Sequence, residues 1–391
     1  MEHMRARIAI GISLLLGIAG CSNQILPPEE PSSVTGNKVA AQSTINQALQ
    51  EYSLELLQNK VGAIVALDPT NGEILAMASS TGMPDMDDPS SPHYPLWNRC
   101  IHACYPAGTV FGLVSLLTAE EDGLSLTAQT TECSGYPCHK HIQYSDVADA
   151  IKMGCTAASK EAFLRTVGDS PAEGLSHWNG KVMELGFGRK IGMEIPNERG
   201  GYVMTAKHCD RIYGEERWTA ATALNLAYGE GDLLVTPIQL ANFCAILANR
   251  GYYYSPHLDR KLVPTLNNTS FSENAFAPII EGMWKAVNSG PGTWSTAFVA
   301  HVDNLGICAS AGQASNSFGE DNSVFIGFAP KDNPRIAIAV YIENGGFGAS
   351  FAAPIGSLVI EKYLSGDISR KYLAERMKTA NLMDRSRYKQ Q

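Results

Sequence analysis

Apolar residues recur with a helical period just after residue 109. Val110, Leu113, Val114 and Leu117 stand at i, i+3, i+4 and i+7, the stripe of a helix pressed into a core. Pro106 and Gly108 punctuate a turn immediately before Thr109, and Gly123 is a natural stop. Residues 41–58 predict an amphipathic helix through Ile45, Leu49, Leu54 and Leu57. Two apolar runs within 61–79 flank Asp68-Pro69-Thr70-Asn71-Gly72, and Asn-Gly between strand-like runs predicts a hairpin. Residues 80–98 read as loop. Helices are predicted over 147–164, 178–185, 219–227, 237–248 and 276–288; Thr236-Pro237 supplies an N-cap followed by Pro at the first helical position. Strands are predicted at 305–309, 324–329 and 335–343, a closing helix at 352–364, and a mixed-charge surface helix in the tail 370–391. A helix-rich middle between an N-terminal hairpin and C-terminal strands predicts one α+β domain over 41–385, its sheet assembled from both ends of the chain.

Composition sharpens this outline at the N-terminus. Arg5 and Arg7 precede the apolar run 8–19, which is too short to cross a bilayer and ends at Ile18-Ala19-Gly20-Cys21. Residues 1–20 are therefore expected to be a signal peptide. The ending resembles a bacterial lipobox, which would make Cys21 the lipidated first residue of a periplasm-facing protein of the cell envelope; a plain secretory signal with an incidental Cys is the alternative. Residues 21–40 would then be the lipidated tether, polar and Pro-containing. The formal charge of −9 and the lack of a basic stripe argue against a nucleic-acid partner. Eight cysteines remain beyond Cys21 (Cys100, Cys104, Cys133, Cys138, Cys155, Cys209, Cys244 and Cys308). An oxidising compartment permits disulfides among them, although several sit in apolar contexts where a free Cys packs as a small hydrophobe.

The chemistry centres on Thr109. A turn that delivers a hydroxyl to the first turn of a buried helix suits a nucleophile, because the helix fixes it and the N-terminal amides favour negative charge. A hydroxyl nucleophile also needs a base, and at i+3 on the same face stands Gly112. Ser115 lies six residues on, about 600° around the helix, and points elsewhere. Cys133, Cys138, His139 and His141 have metal-ligand residue types, with a disulfide beside surface histidines as the alternative. Lys152 and Lys160 are candidate substitute bases, or a solvated helix face. His102 and His208 have no partner assignable from sequence.

The blocks VALDPTNGEILAMASS, PLWNRCIHACYPAGTVF, GFGRKIGMEIPNERGG, LNLAYGEGDLLVTPIQLANFCAILANRG and FIGFAPKDNPRIAIAVYIENGGFGASFAAPIGSLVIEKYL together resemble the transpeptidase domain of class B penicillin-binding proteins, closest to the rod-elongation type. The resemblance covers roughly residues 41–385. It implies a serine transpeptidase/β-lactamase-like α+β fold, a central five-stranded antiparallel sheet flanked by helices, plus an all-helical subregion.

In that family three motifs carry the chemistry: Ser-x-x-Lys, Ser-x-Asn or Ser-x-Asp, and Lys-Thr-Gly. The first falls on Thr109-Val110-Phe111-Gly112, a β-branched hydroxyl with no base. The second falls on Gly154-Cys155-Thr156, where the relaying Ser is Gly154 and the Asn is Thr156. The third falls, without gaps, on Ser310-Ala311-Gly312; a register two residues earlier gives Cys308-Ala309-Ser310 and fits less well. Replacing the motif Lys with Ser removes a charge-assisted contact worth ~1.5–3 kcal/mol. None of the six polar motif side chains is matched identically. Full-length family members carry a membrane helix and a pedestal domain, whereas about forty residues separate Cys21 from the first matching block, so the pedestal is expected to be absent.

The resemblance and its departures predict a lipid-anchored pseudoenzyme without metal or cofactor. It would act by binding peptidoglycan stem peptide or a cell-wall or envelope protein, and would meet the membrane through its anchor. The alternative is an active peptidoglycan D,D-transpeptidase, a penicillin-binding acyltransferase using Thr109. A β-lactamase-like hydrolase needs the same missing residues and a water activator besides.

Overall fold

The computed structural model describes residues 43–80, 98–124, 126, 129–131, 142–193, 195, 197–290, 293 and 295–383. Cys21 with its signal and tether, the Cys133, Cys138, His139 and His141 cluster, and the tail beyond 383 lie outside the described residues.

Five strands form the central sheet: β1 (Gly62–Leu67), β2 (Ile74–Ser79), β3 (Cys308–Ala314), β4 (Asn322–Ala329) and β5 (Ile336–Ile342), in the order β2-β1-β5-β4-β3. Every neighbouring pair is antiparallel, and Gly62 stands opposite Ile342, so the N-terminal hairpin docks on the last strand. All positions of β1, β4 and β5 are buried. They read as continuous apolar runs because both faces of the sheet are covered. On one face Ile64, Phe325, Ile338 and Val340 pack with Leu49 and Leu56 of helix Gln47–Leu57 and Leu358 and Val359 of helix Ala352–Ser365. On the other, Val65, Val324, Ile326 and Ala339 pack with the Gly112–Glu121 and Pro237–Asn249 helices. Beyond these stands the helical half, where Phe111, Phe163, Trp178 and Phe187 meet edge to face, the arrangement that ring quadrupoles favour.

Several boundaries differ from the sequence pattern. The helix expected over 147–164 is two helices, Val147–Met153 and Thr156–Val167. Gly154 ends the first in the left-handed region at φ 64°, ψ 41°, a conformation that costs residues with a Cβ far more. The strand expected at 305–309 is shifted to Cys308–Ala314. Its Ala, Ser and Gly residues carry little β-propensity, but a neighbouring turn presses too close for larger ones. The first helix begins at Gln47, where the Asn46 side chain accepts the Leu49 N–H. The helix expected at 178–185 starts earlier, with Pro at its first position, and runs Pro171–Glu184. Residues 219–227 form a 3-10 helix over Ala220–Tyr228, and the tail helix spans Lys371–Thr379.

A polar network at one end of the sheet holds the turn before Thr109. Tyr105 stacks on Tyr341 with ring centroids 4.1 Å apart and donates its hydroxyl to Glu343 Oε1 at 2.7 Å. Arg99, 2% exposed, reaches the same oxygen at 3.4 Å and donates to the Ser80 carbonyl at 2.8 Å. Tyr341 donates to the Pro106 carbonyl and accepts from Asn322 Nδ2. Burial, reinforced by the Glu343 charge, holds the Tyr105 hydroxyl well above its ordinary value, so both tyrosines remain neutral donors.

Two outcomes are expected. Glu343→Gln leaves the Arg99 guanidinium with a weaker partner in a buried setting. Since the Glu343 side chain is itself 26% exposed, the variant should lose about 1–3 kcal/mol of stability, read as a lower urea midpoint; an unchanged midpoint would show that the pair does not hold the turn. The second concerns Lys60, also buried at 2% exposure, which donates to the Gln58 carbonyl. Burial pushes its ammonium down to about 8 from 10.5. Between these values the unfolded chain binds more protons than the folded one, so stability rises with pH across that window and is lost as pH falls through the folded value. Lys60→Met should therefore exceed the parent by on the order of 1–3 kcal/mol at about pH 7, with the difference shrinking towards about pH 10.5. A pH-independent difference in urea unfolding would remove Lys60 as its cause.

Candidate functional site

Thr109 opens a single 3-10 turn, Thr109–Phe111, that runs directly into the helix Gly112–Glu121. The turn before it is held by backbone bonds: Tyr105 exchanges N–H and C=O with Val235 at 2.9 and 2.8 Å, and Gly108 donates to the Gly229 carbonyl at 3.0 Å. Gly108 has φ 68°, and a side chain there would run into the Gln313 carbonyl of β3. The turn thus meets the strand backbone to backbone. Thr109 Oγ1 accepts the Gln313 N–H at 3.3 Å, and a Cβ on Gly312 would strike that same hydroxyl.

Thr109, Gly112, Gly154, Thr156 and Ser310 line one cavity with Cys155 and Ser159, floored by Leu113, Leu116, Ala150 and Ile151. All three stretches predicted from sequence therefore converge. Gly312 faces Thr109 from β3, while Ala311 turns to the other face and packs with the second core layer. The gapless register places Ser310 and Gly312 at the site. Cys308 lies buried below, its thiol pushed up to about 12 by burial.

The cavity measures about 20 Å³, room for about one water molecule. Its described lining offers hydroxyls and one thiol, with no carboxylate, imidazole or amine. The Cys155 thiol is raised above its ordinary value, chiefly by burial, which opposes a thiolate. Lys152 and Lys160 do not line the cavity; the Lys160 ammonium sits 4.7 Å over the Tyr228 ring.

Gly112 and Gly154 stand close against other residues. A Cβ on Gly112 would collide with Ser159 Oγ, and one on Gly154 would stand 2.6 Å from Thr296 Cγ2. Thr296 is pinned by the Lys152 carbonyl, which accepts from its N–H at 3.2 Å and its hydroxyl at 3.4 Å. Sequence reasoning missed Ser159, Thr296 and Gln313. Ser159, one turn after Thr156, was within reach of a helical-face argument. Thr296 arrives from over a hundred residues away and carries no local signal.

At the rim, Glu230 Oε1 accepts the Ser315 N–H at 2.8 Å, and Asp321 accepts the Gln313 side-chain amide at 3.0 Å. Burial, aided by the Asp321 charge and opposed by the Ser315 hydrogen bonds, raises the Glu230 carboxyl. The two histidines lie elsewhere. His102 Nδ1 accepts the Asn98 N–H, and its imidazole is lowered by burial and by Arg199. His208 Nδ1 lies 2.8 Å from the Tyr202 hydroxyl and 3.1 Å from an Arg211 nitrogen, with Nε2 3.6 Å from Asp232. Among the described residues Cys100, Cys155, Cys209, Cys244 and Cys308 are free thiols, and no group of three or more His, Cys, Asp or Glu could hold a metal.

The fold and cleft have relatives among known proteins. The family model of the penicillin-binding protein transpeptidase domain matches residues 62–361. The peptidoglycan D,D-transpeptidase MrdA of Haemophilus influenzae is 28% identical over 374 residues, covering 82% of this chain and 56% of the relative. PbpA of Mycobacterium tuberculosis, also a peptidoglycan D,D-transpeptidase, is 27% identical over 367 residues, covering 83% and 72%. The chain spans about half the length of the MrdA relatives it matches. Among solved structures, PBP2 of Pseudomonas aeruginosa superposes with a TM-score of 0.68 at 25% identity, covering 84% of this chain and 80% of that one. PBP2 of Helicobacter pylori, solved in complex with MreC, gives 0.70 at 22% identity over 82% of this chain and 63% of that one. Matched over most of its length by the family model, and with its three motif stretches meeting in one cleft, the chain belongs to the penicillin-binding protein transpeptidase domain family.

Proposed function

We propose that this chain is a non-acylating member of its family, anchored in the cell envelope through a lipid on Cys21, that acts by binding peptidoglycan stem peptide or a protein of cell-wall synthesis. One observation carries the reading: where the three motif stretches converge, the described lining holds no base and no cation, and Ser159 and Thr296 occupy the space left. A hydroxyl without an adjacent base is a weak nucleophile near neutrality. Motif residues act as a unit, so losing them together removes most of the rate.

Binding needs less than catalysis. The N–H of Gln313 points away from β4, towards Thr109. Successive residues of a strand direct their backbone groups to alternate sides, so those of Ala311 face the same edge, next to the part that the Gly108–Thr109 turn already covers. β3 is an edge strand of the sheet, and Ala311 is partly exposed. An extended peptide could add there through backbone groups alone. Protein partners suit the same reading: one relative was solved with MreC, and another within a peptidoglycan synthase complex.

The test is a covalent one. The protein is incubated with a fluorescent penicillin, denatured, and searched for a mass shift on the peptide containing Thr109. Labelling is expected to be at least roughly a thousandfold slower than for an ordinary transpeptidase. It should return only when the family residues are restored at 109, 112, 154, 156, 310 and 311 with Ser159 and Thr296 reduced in size. Rapid labelling of Thr109 in the unaltered chain would make it an acyltransferase. Retention of neither muropeptide nor protein in a native pull-down would remove the binding reading.

A further inference from the structure

A short hairpin stands at the end of the sheet away from the cleft. Its strands, Tyr252–Tyr254 and Leu266–Asn268, pair Tyr254 with Leu266 and Tyr253 with Asn267. Side chains alternate between the two faces of such a pair. Tyr253 is turned inward at 2% exposure, while Tyr252 and Leu266 lie on the outer face at 37% and 48%, and the Tyr252 and Tyr254 rings meet edge to face. In the connecting loop Val263, close in sequence to Leu266, is 88% exposed, the most of any large apolar side chain among the described residues. The Ser255 N–H donates to the Thr265 carbonyl at 2.9 Å and closes the neck of the loop, while Asp259 Oδ1 accepts the Lys261 N–H at 2.9 Å. These side chains are therefore carried on braced backbone, which lowers the ordering cost of binding.

Charge sets the loop apart from the rest of the chain. Residues 250–272 contain Arg250, Arg260 and Lys261 against one carboxylate, Asp259, in a protein of formal charge −9. Arg250 is spent on the Ala248 and Lys331 carbonyls. Arg260 and Lys261 are exposed, and neither pairs with a carboxylate among the described residues.

Position in the fold gives this surface a direction. Ser43 bridges to Asp259, and the Thr44 N–H donates to the Leu258 carbonyl at 2.9 Å, so the chain enters the domain against this loop. The turn between β1 and β2 lies here too, since the His257 N–H donates to the Gly72 carbonyl at 3.0 Å. The cleft is at the other end. Across the sheet Gln313 is in line with Ser323, Ile342 and Gly62, whereas Leu67, nearest the loop, is in line with Ala337, Phe328 and Cys308. Residues 22–42, whose contour is at most ~75 Å, join Ser43 to Cys21.

We propose that this loop and hairpin face rest on an anionic lipid bilayer, the one that holds the anchor. Val263 and Leu266 enter the interface, Tyr252 and Tyr254 sit at the level of the headgroups, and Arg260 and Lys261 meet lipid phosphates. The inference rests on the Cys21 anchor proposed above, which supplies the surface and raises its local concentration. Docking by this end needs the least reach from the tether, because the chain enters the domain here. A bilayer suits the geometry better than a protein groove would: Val263 projects outward, and a plane closes over it without a matched shape. The consequence is an orientation, with the cleft turned away from the membrane and towards the cell wall.

The experiment uses the full chain, native and as Cys21→Ser, in co-sedimentation with vesicles of phosphatidylcholine alone or with a quarter phosphatidylglycerol. The apolar run 8–19 is common to every variant, so differences between variants report the loop. The Cys21→Ser chain should prefer the anionic vesicles. Adding Arg260→Gln with Lys261→Gln should weaken that binding at least about tenfold, and salt should weaken the parent more than this variant. Val263→Ser with Leu266→Ser should cost roughly tenfold as well. In a separate variant, Val263→Trp should be quenched by brominated lipid beyond the quenching of the parent's own tryptophans. Unchanged thermal unfolding of these exposed-site variants keeps loss of binding distinct from loss of fold. Equal retention of parent and loop variants, or no added quenching at position 263, would overturn the proposal. A dimer that the Val263 and Leu266 changes abolish would assign the face to a second copy, and retention on a soluble anionic polymer with no dependence on Val263 would reduce it to bare charge attraction; each also overturns it. Failure of the anchor reads differently: neutral vesicles would then hold the native chain no better than Cys21→Ser, while the loop variants still decide the docking.

Discussion

The turn at 105–109 meets β3 with almost no side chain between them, and the geometry of the cleft follows from that approach. Gly108 lies against the Gln313 carbonyl, Gly229 against Gly108, and Gly312 against the Thr109 hydroxyl. Contacts of this kind tolerate no added methyl group without displacing backbone. They are kept in place from outside by the Tyr105–Tyr341 stack and by the carboxylate of Glu343, shared between Tyr105 and Arg99. A hydrogen-bonded network that is satisfied throughout specifies one arrangement more sharply than apolar packing alone. Here it joins the start of one helix to the ends of two central strands, so the sheet and the helical half share a single reference point.

Much of this was legible from the chain. The period of Val110, Leu113, Val114 and Leu117 identified the buried helix because that helix is packed on several sides. The Asn-Gly hairpin and the apolar runs of β4 and β5 were equally plain. β3 was misplaced because the strand at the cleft is built from small residues. Its identity is set by what must fit against it, and strand propensity has little influence there. The break at Gly154 was hidden for a related reason: an apolar period continues across it while the backbone turns left-handed for one residue. Motif positions could be assigned from order and spacing, but not what stands against Gly154, because Thr296 and Gly154 share no local pattern.

The framework and the chemistry also respond differently to change. Of the six positions where the family places polar motif side chains, only Ala311 packs against a core cluster, so the others can be altered without opening the interior. Active sites commonly cost stability by gathering polar and charged groups in a confined, partly dry space. On the proposed reading, this chain has been relieved of that tension. A cleft lined by hydroxyls and glycine asks for no buried ion pair and no perturbed lysine, and the same frame can be kept for recognition alone.

Ser159 and Thr296 bear on history as well as on shape. On the proposed reading, side chains lost at Gly112 and Gly154 could have returned singly while the spaces beside them stood open. With both spaces occupied, any larger residue at either position meets a neighbour before it gains a catalytic partner. On the proposed reading the two contacts act as a ratchet: a descent from enzyme to scaffold can proceed by single steps, whereas the ascent requires several coordinated ones.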